Sequence, residues 1–193
     1  MNKIIAICGF KGSGKDTVAK LLETCYTNAN AKECKIECLA YADPIKETVM
    51  NIFHLKDVAD YDAFKRDEFK VNDQVSVKGR DIVVGIGMKM REYDENQFVR
   101  YAERRIKTDN IDVAIITDLR FQNEVNWCKT NHAFIVKVVN PATHSEDHET
   151  ERGISDENCD CIIHNDGDIE TLKGKVAQLY NLIEGKTVNL WST

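Results

Sequence analysis

Residues Gly9 to Thr17 read Gly-Phe-Lys-Gly-Ser-Gly-Lys-Asp-Thr, directly after the apolar run Ile4-Ile5-Ala6-Ile7-Cys8. The spacing Gly9-x4-Gly14-Lys15 is that of a phosphate-binding loop. Glycines let a backbone curl until successive N–H groups converge on phosphate oxygens. Lys15 supplies a positive charge for β- and γ-phosphates, and a helix starting there adds the positive end of its dipole. Lys11, Gly12, Ser13, Asp16 and Thr17 complete the loop. Where a Ser or Thr usually follows the lysine, this chain has Asp16, with Thr17 one place later. The bland alternative is a glycine-rich turn that binds nothing. The apolar run before the loop and the helical spacing of Val18, Ala19, Leu21 and Leu22 after it weigh against that.

A second cluster follows another apolar run, in Ala114-Ile115-Ile116-Thr117-Asp118-Leu119-Arg120. A carboxylate at the tip of such a strand suits Mg²⁺, its waters, or a substrate proton. Asp118 could instead cap a helix starting near Phe121. Arg120 is a phosphate fork, or a surface arginine in a first helical turn. Phosphoryl transfer asks mainly for positioning and positive charge, and Lys11, Lys46, Arg66, Arg80 and Arg120 join Lys15 as candidates. Arg100, Arg104 and Arg105 beside Glu103 read as an exposed basic helix face. The run from Asn140 to Glu151 holds His144, His148 and several carboxylates, which fits a nucleotide-edge or solvated loop. A Ser-His-Asp triad crowded into that one loop has no evident geometry. Asn165-Asp166-Gly167 is foremost a turn signal.

The elements that must position these residues read as an α/β chain. Strands are expected over Lys3–Cys8, Lys35–Tyr41, Val113–Thr117, Ala133–Val139 and Cys161–His164. Four are near-continuous apolar runs, as a parallel sheet covered on both faces requires. Helices are expected over Lys15–Tyr26, Pro44–Phe53 (with Asp43 as N-cap), Gly79–Met90, Glu95–Ile106, Phe121–Lys129 and Asp168–Ile183. The alternation implies right-handed crossovers. The polar stretch from Phe53 to about Arg91 breaks the rhythm. It reads as a substrate-covering insertion at the carboxyl edge, or as a solvated linker. A closing segment there could carry Arg66 and Arg80.

The 193 residues suffice for one domain, with 42% hydrophobic and 30% charged residues as in ordinary globular chains. A net charge of −6 argues against a nucleic acid polymer as ligand, though not against a mononucleotide. Seven cysteines, with no Cys-x-x-Cys pair, read as reduced thiols. Cys159-x-Cys161 with His148 and His164 does not match structural zinc spacings. No signal peptide and no apolar run long enough for a membrane span are evident, which points to the cytosol.

Together these residues give the chain a resemblance to the phage-type deoxynucleoside monophosphate kinases, within the P-loop nucleoside monophosphate kinase group. It is carried by Gly9-x-Lys11-x-Ser13-Gly14-Lys15-Asp16-Thr17, Ala42-x-Pro44-Ile45-Lys46, Arg80-x6-Gly87, Asp118-x-Arg120-x3-Glu124, His148-x-Thr150-Glu151 and Asn165-Asp166-Gly167. The Asp-Thr ending of the loop is that family's own form. The resemblance implies one P-loop domain over residues 1–193, with a substrate or lid region at about 54–107. Its five-stranded parallel sheet would have the order 2-3-1-4-5. The implied activity is transfer of the ATP γ-phosphoryl group to a 5′-deoxynucleoside monophosphate, with Mg²⁺. Lys11, Gly12, Ser13, Gly14, Lys15, Asp16 and Thr17 would bind ATP. Lys46, Arg66, Arg80, Arg120, Glu124 and Glu151 would hold the monophosphate. Lys15, Arg80, Asp118 and Arg120 would be catalytic, and Asp16 and Asp118 would serve the metal. A homodimer fits the resemblance, as does a cytoplasmic location, the host's if the chain is phage-encoded. Two other readings share the loop: a small-molecule kinase of the phosphomevalonate kinase type, and a nucleotide-binding switch module.

Overall fold

The computed structural model describes residues 2–29, 34–143 and 154–185. The chain opens with β1 (Lys3–Cys8), α1 (Lys15–Ala29) and β2 (Ile36–Leu39). Next come α2 (Asp43–Ile52), α3 (Val58–Arg66), β3 (Glu68–Asn72), β4 (Val75–Lys78) and α4 (Gly79–Tyr93). It continues through α5 (Gln97–Thr108), β5 (Val113–Ile116), α6 (Gln122–Thr130) and β6 (Phe134–Val139). A short 3₁₀ turn (Asp156–Asn158), β7 (Cys161–His164) and α7 (Ile169–Ile183) close the described chain.

Two compact units result: Met1–Ala40 with Ala102–Thr193, and Tyr41–Tyr101. In the first unit five strands form one sheet in the order β2-β5-β1-β6-β7, every pair parallel. Counting only these five, the order is 2-3-1-4-5, as expected. The apolar runs explain why. Successive side chains of a strand face opposite sides of the sheet, so a strand covered on both faces is apolar at every position. Ile5, Ala6, Ile7 and Cys8 are all fully buried, as are Ala114, Ile115 and Ile116. Ile5, Ile7, Ile115, Val136 and Val138 share one core with Val18 and Leu22 of α1 and Leu172, Val176 and Leu179 of α7. Parallel strands put all their carboxyl ends at one edge. The register Ala6↔Ile116 therefore sets the residues after β1 beside those after β5.

The second unit covers much of the stretch expected as an insertion, and starts earlier, at Tyr41. That stretch is not a solvated linker, because regular elements fill it. α3 begins with Asp57 as N-cap, its carboxylate accepting from the Asp60 N–H at 2.9 Å. β3 and β4 form an antiparallel hairpin in which Phe69 faces Val77, with a bulge between Lys70 and Asn72. Phe69 stacks toward Phe64 at 5.1 Å, and Phe64 toward Phe53 at 4.5 Å. Gly87 marks a close approach of α4 to α2, because a Cβ there would lie 2.7 Å from Ile45 Cδ1.

Asp43 is not the N-cap of α2. The Ala42 carbonyl already accepts from Ile45 and Lys46 at 3.0 Å each, so the helix starts one residue earlier and Asp43 is its first residue. α4 runs on to Tyr93, past the expected end at Met90.

Candidate active site

The loop from Gly9 to Gly14 joins the carboxyl end of β1 to the start of α1. Gly9, Gly12 and Gly14 all have positive φ, the conformation side chains resist. The need is plainest at Gly14, with φ of 95° and Asn165 Nδ2 only 2.4 Å from where a Cβ would sit. The Ser13 N–H turns back onto the Phe10 carbonyl at 3.1 Å, and the Lys15 ammonium reaches the same carbonyl at 2.7 Å. Lys15 thus spans the loop. The ladder of α1 starts with the Val18 N–H on the Gly14 carbonyl at 2.9 Å. N–H groups earlier in a first turn point out of the helix start, where an anion is favoured. Ser13 is fully buried, while Lys11, Gly12, Asp16 and Thr17 are exposed.

Asp118 lies two residues beyond β5, at the same sheet edge. The Leu119 N–H donates to the Ile7 carbonyl at 3.2 Å, which ties this segment to β1 just before the phosphate loop. Asp118 does not cap α6, which starts at Gln122 with Phe121 as cap. Glu124 holds the start of that helix. Its carboxylate is 1% exposed and accepts from the N–H groups of Arg120 and Phe121 at 2.9 and 3.0 Å. A buried carboxylate facing two N–H donors fixes the backbone that carries Arg120. Arg120 itself is exposed and Asp118 half-buried.

In the second unit two arginines stand at the two ends of the hairpin, one before its first strand and one after its second. The Gly79 N–H donates to the Asp67 carbonyl at 3.0 Å, so Arg66 and Arg80 flank one backbone hydrogen bond. Lys46 and Lys65 both stand over the Tyr61 ring, at 5.7 and 4.6 Å from its centre. Lys65 also pairs with Asp62 at 2.8 Å, and that hydrogen bond holds the Asp62 carboxyl below the ordinary carboxylate range. Burial pushes the Tyr61 hydroxyl pKa up.

The remaining candidates divide. Arg105 is a structural ion-pair residue, bonded to Glu37 and, at 2.8 Å, to Asp109; Arg100 pairs with Asp94. Cys8 Sγ lies 3.9 Å from Cys159 Sγ, and burial pushes the Cys8 thiol pKa well up. Glu151, with His144, His148 and Thr150, falls outside the described residues. Among the described residues no three His, Cys, Asp or Glu gather as a metal site, and no helix is long and apolar enough to cross a membrane. A magnesium bound through nucleotide phosphates needs only one or two carboxylates. The hard oxygens of Asp118, Asp16 and Thr17 are donors of the right kind.

The deoxynucleotide monophosphate kinase family profile matches residues 65–176, more than half of the chain. The chain belongs to the deoxynucleotide monophosphate kinase family. A curated member, the deoxynucleotide monophosphate kinase of Escherichia phage RB69, is 30% identical over 130 residues. That match takes in 64% of this chain and 52% of the relative, so the chain spans about half the length of the curated kinase it matches. Two solved structures share the fold at a TM-score of 0.51. One is APE1195, at 14% identity over 95% of this chain and 96% of that one. The other is the Mycobacterium tuberculosis APS kinase CysC in complex with AMPPNP and APS, at 11% identity over 95% and 98%. Both likenesses are of overall fold alone.

The grip of Asn165 on the phosphate loop and the placement of Arg66 and Arg80 beside one backbone hydrogen bond are the features that sequence reading missed. The amide of Asn165 acts on Ser13, far away along the chain, and the placement of the arginines needs the hairpin. The hairpin itself had a signal, the alternation of Phe69 and Val71 and of Val75 and Val77 around an Asn-Asp turn.

Proposed function

We propose that this family member transfers the γ-phosphoryl group of ATP to a 5′-deoxynucleoside monophosphate. The observation that carries the reading is the pairing of a phosphate loop with Asp118-x-Arg120 at the same sheet edge, in a chain of this family. An oxygen of the acceptor's 5′-phosphate attacks the γ-phosphorus. The bond from that phosphorus to the β–γ bridging oxygen breaks, and ADP leaves with the electron pair. A phosphate monoester is largely ionised at neutral pH, since its second pKa is about 6. The attacking oxygen therefore has no proton to lose, and no general base is required. Asp118 is better used on the metal than as a base. Asp118, Asp16 and Thr17 would hold Mg²⁺, which supplies positive charge to the β- and γ-phosphates.

The protein's own task is then charge and placement. Lys11, Lys15 and the loop from Gly12 to Thr17 bind the phosphates of ATP. Lys15 stabilises the transferring group, and Arg120 follows it from the strand edge. Lys46, Arg66 and Arg80 neutralise the acceptor phosphate, a role favoured by the shared hairpin neck of the two arginines. Glu124 acts by fixing the Arg120 backbone.

Purified protein with ATP and Mg²⁺ should release ADP only when a deoxynucleoside monophosphate is added. A bisubstrate analogue, two nucleosides joined through phosphates, should raise the melting temperature more than ATP alone. Turnover on another phosphorylated metabolite, with none on any nucleoside monophosphate, would sink this reading.

A further inference from the structure

The turn Asn165-Asp166-Gly167 has work beyond reversing the chain. Asn165 Nδ2 donates to the Ser13 carbonyl at 3.0 Å, and the Asn165 N–H donates to the Val139 carbonyl at 2.7 Å. The residue is thus anchored to β6 while its side chain grips the phosphate loop. Its neighbours hold the turn still. Lys175 donates to the His164 carbonyl at 2.5 Å and to Asp166 Oδ1 at 2.7 Å, one contact on each side of Asn165. Asp168 caps α7 immediately after, accepting from the Thr171 N–H at 2.8 Å.

The contact falls where the loop most needs direction. In a trans peptide the carbonyl and the following N–H point to opposite sides. Holding the Ser13 carbonyl on Asn165 therefore aims the Gly14 N–H away from Asn165 and sets the first peptide ahead of Lys15. Ser13 adds no such tether through its own side chain. Its Oγ is fully buried, with no hydrogen-bond partner among the described residues. The amide also occupies the space a Cβ on Gly14 would need. Gly14 and Asn165 are therefore complementary: the glycine leaves the room, and the amide fills it.

We propose that Asn165 is a positioning residue for ATP, holding the Ser13–Gly14 peptide in the orientation that the phosphates require. This rests on the reading that the loop binds ATP phosphates. The test compares Asn165→Ala and Asn165→Leu with wild type. Leucine keeps much of the volume and removes the donor, so it separates packing from the hydrogen bond. Both variants should raise the KM and the Kd for ATP about tenfold, the scale of one hydrogen bond to a buried carbonyl. The KM for the monophosphate and the melting temperature without ligand should stay near wild type. An Asn165→Leu protein with wild-type ATP affinity overturns the proposal, since packing would then suffice. An equal rise in both KM values with a lowered melting temperature overturns it as well, because that is the mark of a merely structural turn. A wild type that does not bind ATP at all sinks the reading of the loop, and the proposal with it. Normal wild-type binding with unchanged variants sinks Asn165 alone.

Discussion

The two units solve different problems with different materials. The sheet unit buries whole strands: Ile5 to Cys8 and Ala114 to Ile116 are each at 0% exposure. Its phosphate loop is seated against Asn165, and the neighbouring Asp118-x-Arg120 segment is fixed by Glu124. The Tyr41–Tyr101 unit buries a smaller share of its residues, Tyr41 and Phe98 chief among its aromatics at 1% exposure each, and leaves Ile52 at 60% and Val71 at 64% exposure. Its cations sit on short helices and at a hairpin neck. Fewer buried contacts mean lower local stability, and elements that adjust around ligands come from that end of the range. The difference suggests a division of labour. Under the proposed reaction, ATP phosphates would meet a stiff frame that loses little on binding, while the acceptor would meet long cationic side chains on a softer one.

The largest expected effect lies in the stiff unit. Lys15→Ala should lower kcat by about a thousandfold or more, out of proportion to the small fall in melting temperature from losing its bond to Phe10, because its charge would act on the transferring group. A loss confined to the KM for ATP would show that Lys15 only binds. Asp118→Asn should lower kcat by about a hundredfold and raise the magnesium concentration needed for half-maximal rate. An unchanged magnesium dependence would remove Asp118 from the metal.

In the softer unit the effects should be smaller and fall on the other substrate. Arg80→Ala should raise the KM for the monophosphate by about tenfold or more, with the KM for ATP little changed. Arg66→Ala should do the same more weakly, since Arg66 is the more exposed of the two. If either substitution weakened ATP instead, the division of labour would fail. The smallest effect belongs to Val71→Thr on the exposed hairpin. It should stay within about 0.5 kcal/mol in stability and leave both KM values alone.

The sheet was readable because its cause is local. A run such as Ile4-Ile5-Ala6-Ile7-Cys8 states in five residues that both faces are covered. The phosphate loop and Asp118 were readable for a similar reason, since spacing along the chain reports their placement. The hairpin was harder. Its strands are short and leave Val71 and Val75 exposed, so they carry no strong burial pattern. Glu124 was noticed for its place in a motif, whereas its carboxylate accepts from two backbone N–H groups. With Phe121 in the cap position, the usual Ser or Thr that would announce a capping box is missing. Asn165 stood out as a turn and as part of a motif but not as a loop contact, because its partner Ser13 lies at the other end of the chain.

Phosphoryl transfer between two nucleotides can be followed atom by atom with γ-labelled ATP. With Mg²⁺ and a deoxynucleoside monophosphate, the label should appear in the deoxynucleoside diphosphate with wild-type protein and not with Lys15→Ala. Label released only as inorganic phosphate, or passed to no nucleoside monophosphate in a full panel, would rule out transfer between nucleotides.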